Sequence, residues 1–310
     1  MSSWEEREPA VSVVVPTYNR AQTLGAAIES VLGQTYERFE LLVVDDGSTD
    51  QTQSVVEGFE DPRIRYRRFE GNRGANVARN AGIRNANADL VAFVDSDDTW
   101  RPEKLARQVE RMRETPDRVG VVYTGYWLER PSGREYGPDP GRKDLEGDIY
   151  EALLAGNGRF IPTSTALVRR TCFDRVGYFD EALPRQQEWE LWLRIAREFE
   201  FALVDDPLVV RSMRHDGVSI SADPEALVTA LDHILQKHVG AFQARPELLA
   251  QHRWQVGETR LLNGDPWRGR AQLLTALSHN PRLTYFVGIV AAVLGPQVYE
   301  AAFDLYRKLA

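Results

Sequence analysis

Val11-Ser12-Val13-Val14-Val15-Pro16-Thr17-Tyr18-Asn19 opens the part of the chain from which the fold can be read. Val11–Val15 is an almost continuous β-branched run. That pattern suits a strand covered on both faces, as in a parallel sheet. The polar cluster Pro16-Thr17-Tyr18-Asn19 closes it. The same arrangement returns twice. Phe39–Val44 predicts a strand ending in Asp45-Asp46-Gly47-Ser48, and Leu90–Val94 predicts one ending in Asp95-Ser96-Asp97-Asp98. Between them the spacing predicts helices over 23–34, 50–59 and 74–85, with a short strand over 64–68. Strands alternating with helices build βαβ units. Ligands of such sheets sit beyond the carboxyl ends of the strands, so three separate polar clusters point at one rim.

Further along, a helix is predicted over 102–113, opening at Pro102 as helix N-termini favour. A strand over 119–128, a loop rich in Pro, Gly and charge over 131–147, a helix over 188–198 and a strand over 208–213 follow. From Pro224 onward the pattern is helical. The expected architecture is α/β: a Rossmann-like, mostly parallel sheet flanked by helices in residues 1–222, then a helical region, 223–310.

At roughly 150 residues per domain, 310 residues suit two domains. A net charge of −8 and a pI near 5.3 argue against a nucleic-acid partner. The single cysteine, Cys172, excludes an internal disulfide and any CxxC metal or redox motif. It is compatible with a reducing compartment. Residues 1–9 do not read as a signal peptide, and no apolar run reaches the ~18 residues of a membrane span. The expectation is a cytoplasmic protein. Basic and aromatic residues around the apolar stretch 285–294 leave open a peripheral contact at the inner face of the cell membrane. The favoured alternative buries Phe286, Ile289, Val290 and Val293 against the catalytic domain or in a dimer, because Gly288 and Gly295-Pro296 limit a long helix.

Asp95-Ser96-Asp97 is a DxD tripeptide at a strand end. Its two carboxylates are hard oxygen ligands for Mg²⁺ or Mn²⁺ and leave room for diphosphate oxygens. The competing role is a helix cap, since Asp98 and Thr99 stand just before Pro102. Asp45-Asp46-Gly47-Ser48 has the composition of a turn, and Asp46 is its candidate nucleotide ligand. Asn72-Arg73-Gly74 opens a helix whose N-terminus attracts anions. Trp189 and Trp192, at i and i+3, suit either sugar platforms or core.

Pro16-Thr17-Tyr18-Asn19, Val44–Asp50, Asn72-Arg73-Gly74, Ala78-Arg79-Asn80 and Phe93–Asp98 stand in order at close spacing. In these residues the chain resembles the family-two glycosyltransferases, which have the GT-A fold, over about residues 11–215. The resemblance implies an inverting transferase that takes a UDP or GDP sugar with Mn²⁺ or Mg²⁺. It assigns Pro16, Thr17, Tyr18, Asn19, Asp46 and Arg73 to the nucleotide. It gives Asp95 and Ser96 to the nucleotide as well, and Asp95 and Asp97 to the metal, with Asp97 foremost. Gln187-Glu188-Trp189 resembles the family's acidic segment, whose second position supplies the catalytic base; here that is Glu188, where Asp is more usual. The segment 209–215 resembles one in which His215 or Arg214 touches the diphosphate or the metal. Many relatives glycosylate lipid-linked or cell-surface acceptors, so the partners implied are a nucleotide-sugar donor and a hydroxyl acceptor on a glycan or lipid.

Two other readings compete: a sugar-phosphate nucleotidyltransferase and a non-catalytic nucleotide-sugar-binding module. The chain has no Gly-rich, Lys-bearing triphosphate loop, which counts against the first. The intact DxD and Glu188 count against the second. A dinucleotide oxidoreductase is disfavoured by the absence of GxGxxG after the first strand.

Overall fold

The structure, a computed structural model, describes residues 9–131, 133–138, 146–156, 161–212 and 223–309. By internal contacts it divides into two compact units: one of residues up to Glu181 with Gln187–Asp216, the other of Ala182–Gln186 with the rest from Gly217.

The first unit begins β1 (Val11–Thr17), α1 (Leu24–Leu32), β2 (Phe39–Asp45), α2 (Thr52–Glu57), β3 (Ile64–Arg68), α3 (Ala75–Arg84) and β4 (Leu90–Phe93). It continues with β5 (Asp98–Trp100), α4 (Lys104–Glu114), β6 (Val119–Arg130), β7 (Gly133–Gly137) and α5 (Tyr150–Gly156). A 3₁₀ turn (Thr163–Thr165), β8 (Ala166–Arg169), α6 (Arg170–Val176), α7 (Gln187–Ile195) and β9 (Glu200–Ser212) complete it. The sheet order is β3-β2-β1-β4-β8-β6-β9-β5, with β7 pairing β6. β3, β2, β1 and β4 run parallel, as do β6 and β9; β8 is antiparallel to both its neighbours.

Every residue of β1 and β2 is buried, as their apolar runs predict. A Cβ at Gly82 of α3 would collide with Val14, so the absent side chain lets α3 lie directly on β1. Register fixes the rim: Thr17 pairs with Asp45, and the Val94 N–H donates to the Val14 carbonyl. The ends of β1, β2 and β4 therefore finish level. Two expectations need correction. The segment read as a loop holds β7, which folds back on β6. The strand expected from residue 208 begins at Glu200 and carries Asp205-Asp206-Pro207 through register shifts opposite Thr124–Tyr126.

The second unit is helical: α8 (Pro224–Lys237), α9 (Val239–Gln243), α10 (Pro246–Leu262), α11 (Pro266–His279), α12 (Leu283–Leu294) and α13 (Pro296–Leu309). Asp223 and Asp265 cap α8 and α11, each followed by a proline in the first turn. Trp254 stacks on Tyr285 at 4.5 Å between ring centroids, within a cluster that includes Leu261, Leu273, Ala292 and Tyr299. On α12, Phe286, Val290 and Val293 are 56%, 47% and 64% exposed. Ile289 of the same helix packs on the cluster. Among the described residues no helix is long and apolar enough to cross a membrane.

Candidate functional site

The loops after β1 and β2 are locked together. The Asn19 N–H donates to Ser48 Oγ at 2.9 Å, and Asn19 Oδ1 accepts the Thr49 N–H at 2.8 Å. Asn19 takes a left-handed backbone, φ 51°, to make this double contact, a conformation asparagine tolerates. Tyr18 is left 41% exposed at the rim. Thr17 Oγ1 is buried with no hydrogen-bond partner among the described residues, a polar atom of the kind a ligand completes.

The two aspartates after β2 divide their work. Asp45, fully buried, accepts the Ser48 N–H at 2.8 Å and the Tyr66 hydroxyl at 2.6 Å. Burial and the Asp45 charge together push the Tyr66 phenol well above its usual range. Asp46 accepts the backbone N–H groups of Arg73 and Gly74, one per oxygen, both at 2.7 Å. Gly47, at φ 79°, faces this loop so closely that a Cβ would lie 2.6 Å from the Gly71 backbone. The Arg73 guanidinium lies over the Phe69 ring, 5.3 Å from its centroid. Pro16, Thr17, Tyr18, Asn19, Asp46 and Arg73 thus belong to one cluster of contacting loops.

The acidic segment after β4 is a turn, closed by the Asp98 N–H on the Asp95 carbonyl at 2.9 Å. Asp95 Oδ1 accepts from Arg79 Nη2 at 2.8 Å, and Arg79 packs over Phe179. Ser96 is buried and Asp97 half-buried. Burial pushes Asp98 up to about 7 against the pull of Arg211, with the charges of Asp95 and Asp97 adding to the rise. Three carboxylates thus stand within four residues of one turn. Among the described residues no group of three or more His, Cys, Asp or Glu is placed to hold a metal by itself. The donor set instead fits a hard divalent ion that takes one or two carboxylates and completes its shell from substrate phosphates. His215 and Arg214 lie outside the described residues.

Glu188 stands in the first turn of α7. The other side of that helix is anchored: Trp189 and Trp192 are wholly buried and donate their indole N–H groups to the Leu153 and Ile161 carbonyls. Both are core residues rather than sugar platforms. Buried Glu190 and Arg194 form a two-pronged pair at 2.8 and 2.7 Å, and Arg194 also reaches the Val176 and Tyr178 carbonyls. Glu188, half-buried, is free of this anchoring role. Arg211 on β9 is within electrostatic reach of both Glu188 and the acidic turn. Burial works to lower the guanidinium's pKa, yet Asp98, Asp95, Glu188 and Tyr126 together hold it above its ordinary value. No local pattern in the sequence gives Arg211 or Arg79 a role; an arginine in the apolar strand 208–213 is the one signal of the former. Cys172 is buried beneath β6, its thiol pushed up to about 12 by burial, so it is packing and no nucleophile.

The sequence model of the family described as "Glycosyl transferase family 2" matches residues 12–177. The chain is 31% identical over 216 residues to UDP-Glc:alpha-D-GlcNAc-diphosphoundecaprenol beta-1,3-glucosyltransferase WfgD of Escherichia coli, a match covering 69% of this chain and 80% of that one. It spans 65% and 64% of the length of uncharacterised glycosyltransferases of Rickettsia typhi and Rickettsia prowazekii. Among solved structures, S. aureus TarS 1–349 in complex with UDP-GlcNAc superposes with a TM-score of 0.70 at 20% identity, covering 96% of this chain and 91% of that one. Mannosyltransferase PcManGT from Pyrobaculum calidifontis, in complex with GDP-Man and Mn²⁺, gives 0.60 at 23% identity, covering 98% and 84%. At these identities the structural likeness is one of fold, and that fold is GT-A.

Proposed function

The chain belongs to glycosyl transferase family 2, and on that premise we propose that it moves a sugar from a nucleotide-diphosphate sugar to an acceptor hydroxyl with inversion. Residues 1–222 form the catalytic part in this reading, and 223–310 a helical region. Thr17, Tyr18, Asp46 and Arg73 hold the nucleotide. Glu188 accepts the proton of the acceptor hydroxyl as its oxygen attacks the anomeric carbon and the bond to the diphosphate breaks. Asp95 and Asp97 would hold a divalent cation, which when bound would neutralise charge on the leaving group. Arg79, bonded to Asp95, and Arg211, paired with Asp98, brace the acidic turn.

What supports this reading is the surrounding of Arg211: its Nε lies 3.5 Å from Asp98 Oδ2, and the charges of Asp98, Asp95 and Glu188 all act to hold its guanidinium above the ordinary value. A panel of nucleotide sugars, read as nucleoside diphosphate release with Mn²⁺, Mg²⁺ or EDTA, tests it. The expected result is release that needs the cation and is lost in Asp97→Ala. Full activity of that variant in EDTA would overturn the metal assignment. Inorganic diphosphate released from a sugar phosphate and a nucleoside triphosphate would favour the nucleotidyltransferase instead.

WfgD is named for a diphosphoundecaprenol acceptor, which is held in a membrane. A lipid-linked glycan is the acceptor class we favour here, with the enzyme peripheral at the cytoplasmic face. Support comes from α12, which carries no charged residue and exposes Phe286, Val287, Val290, Val293 and Leu294. Arg282, also exposed, precedes it.

A further inference from the structure

Ser164 joins the two ends of the acidic turn. Its hydroxyl accepts the Asp95 N–H at 3.0 Å and donates to Asp98 Oδ2 at 2.5 Å. Its carbonyl accepts from Trp100 Nε1 at 3.0 Å. Ser164 is wholly buried, so its effect on chemistry passes through the turn. The clamp is braced from behind. Lys104, also wholly buried, sits with Nζ 3.7 Å from the Trp100 ring centroid and donates to Gln108 Oε1 at 2.6 Å. Gln108 Nε2 donates in turn to the Val122 and Thr165 carbonyls at 2.7 and 2.9 Å. Shifting the 3₁₀ turn would strain these buried hydrogen bonds, which are costly to leave unmade.

One hydroxyl therefore spans positions 95 and 98, and Asp97 stands between them. Whatever direction Asp95 and Asp97 project, Ser164 helps to set it. We propose that Ser164 is a positioning residue that holds the turn 95–98 in the form that receives a divalent cation together with the donor's diphosphate. The proposal rests on the reading of Asp95 and Asp97 as that cation's ligands. Groups that orient metal ligands from behind commonly contribute ten- to a hundredfold to metal affinity.

The test is direct cation binding by the full chain. Mn²⁺ is titrated with UDP, and separately with GDP, while free Mn²⁺ is followed by its paramagnetic resonance signal. Ser164→Ala is expected to weaken Mn²⁺ binding about tenfold or more. Ser164→Cys is slightly larger, offers only a weak donor, and should fall between the alanine variant and the unaltered chain; it decides the matter if the alanine variant does not fold. Thr165→Val removes a hydroxyl from the same 3₁₀ turn, one bonded to the Pro162 carbonyl at 2.7 Å. It should lower Tm while leaving Mn²⁺ affinity within about twofold of the unaltered chain. Unchanged affinity in the Ser164 variants, or equal weakening in Thr165→Val, overturns the positioning role. If Asp97→Ala binds Mn²⁺ as the unaltered chain does, or the unaltered chain binds none, the cation reading itself falls.

Discussion

Asp98 and Arg211 stand opposite one another in the antiparallel pairing of β5 with β9, with Arg211 Nε 3.5 Å from Asp98 Oδ2. Asp98 is buried, whereas the Arg211 side chain keeps about a third of its surface. The pair joins two segments more than a hundred residues apart. Removing the arginine strands a buried carboxylate among Asp95 and Asp97. Arg211→Gln should cost on the order of 1–3 kcal/mol, discounted for the arginine's exposure, and lower kcat. Urea denaturation beside steady-state turnover checks it. A variant equal to the unaltered chain in both would remove the role given to this pair.

Glu188→Gln keeps the shape of the side chain and removes its basicity. kcat should fall roughly a hundredfold or more, the scale of a lost general base, with donor KM little changed. If donor affinity collapses while kcat at saturation persists, Glu188 faces the donor and the base lies elsewhere.

Asp46 is matched to two backbone N–H donors, and its amide analogue is not. Asp46→Asn keeps one acceptor and turns an NH₂ group toward the other N–H. A destabilisation of about 1–3 kcal/mol follows from that unmet donor, concentrated in the loop 71–74. Amide hydrogen exchange should quicken there and nucleotide affinity should fall. Unaltered protection of the Arg73 and Gly74 amides would contradict the geometry.

The rim was legible in the sequence because its signals are local. Val11–Val15 and Phe39–Val44 announce buried strands, and the polar clusters after them mark strand ends. Other elements have no such signature. β5 and β8 are three and four residues long, too short for periodicity to register. β9 hides Asp205-Asp206-Pro207, which reads as a break until the register shifts opposite β6 absorb it. Trp189 and Trp192 were ambiguous because their burial depends on carbonyls from Leu153 and Ile161. Ser164 and Arg211 act on residues 66 to 113 positions away, which no local pattern can convey.

His252 offers a pH test of the helical unit. Its ring is buried, Nε2 lies 2.8 Å from the Leu231 carbonyl, and burial lowers its pKa to about 4. The unfolded chain has the ordinary value near 6.5. Between those values the unfolded state binds a proton that the folded state does not, so stability falls as pH drops from about 6.5 towards 4. The loss approaches about 3 kcal/mol at the acid end. His252→Gln can still donate to Leu231 but does not titrate, so its stability curve should be flatter by that amount. Parallel curves for variant and unaltered chain would exclude His252 as the source.

The exposed face of α12 gives the last prediction. At 3.6 residues per turn, Phe286, Val287, Val290, Val293 and Leu294 fall within an arc of about 120°. Water is a poor solvent for such a stripe. A lipid interface accepts apolar side chains of this kind with a neighbouring arginine at the headgroups, and Arg282 stands at the start of the helix. One patch of five side chains gives weak, reversible attachment, so an enzyme that binds this way is released readily. Flotation with anionic vesicles should carry the unaltered chain upward and carry less with purely zwitterionic ones. Phe286→Ser, Val290→Ser and Val293→Ser combined should abolish flotation, while the fold persists because all three side chains are exposed. Equal flotation of the triple variant and the unaltered chain would remove the membrane from this face. A concentration-dependent dimer lost in the triple variant, with no flotation of either chain, would assign the face to a second copy instead.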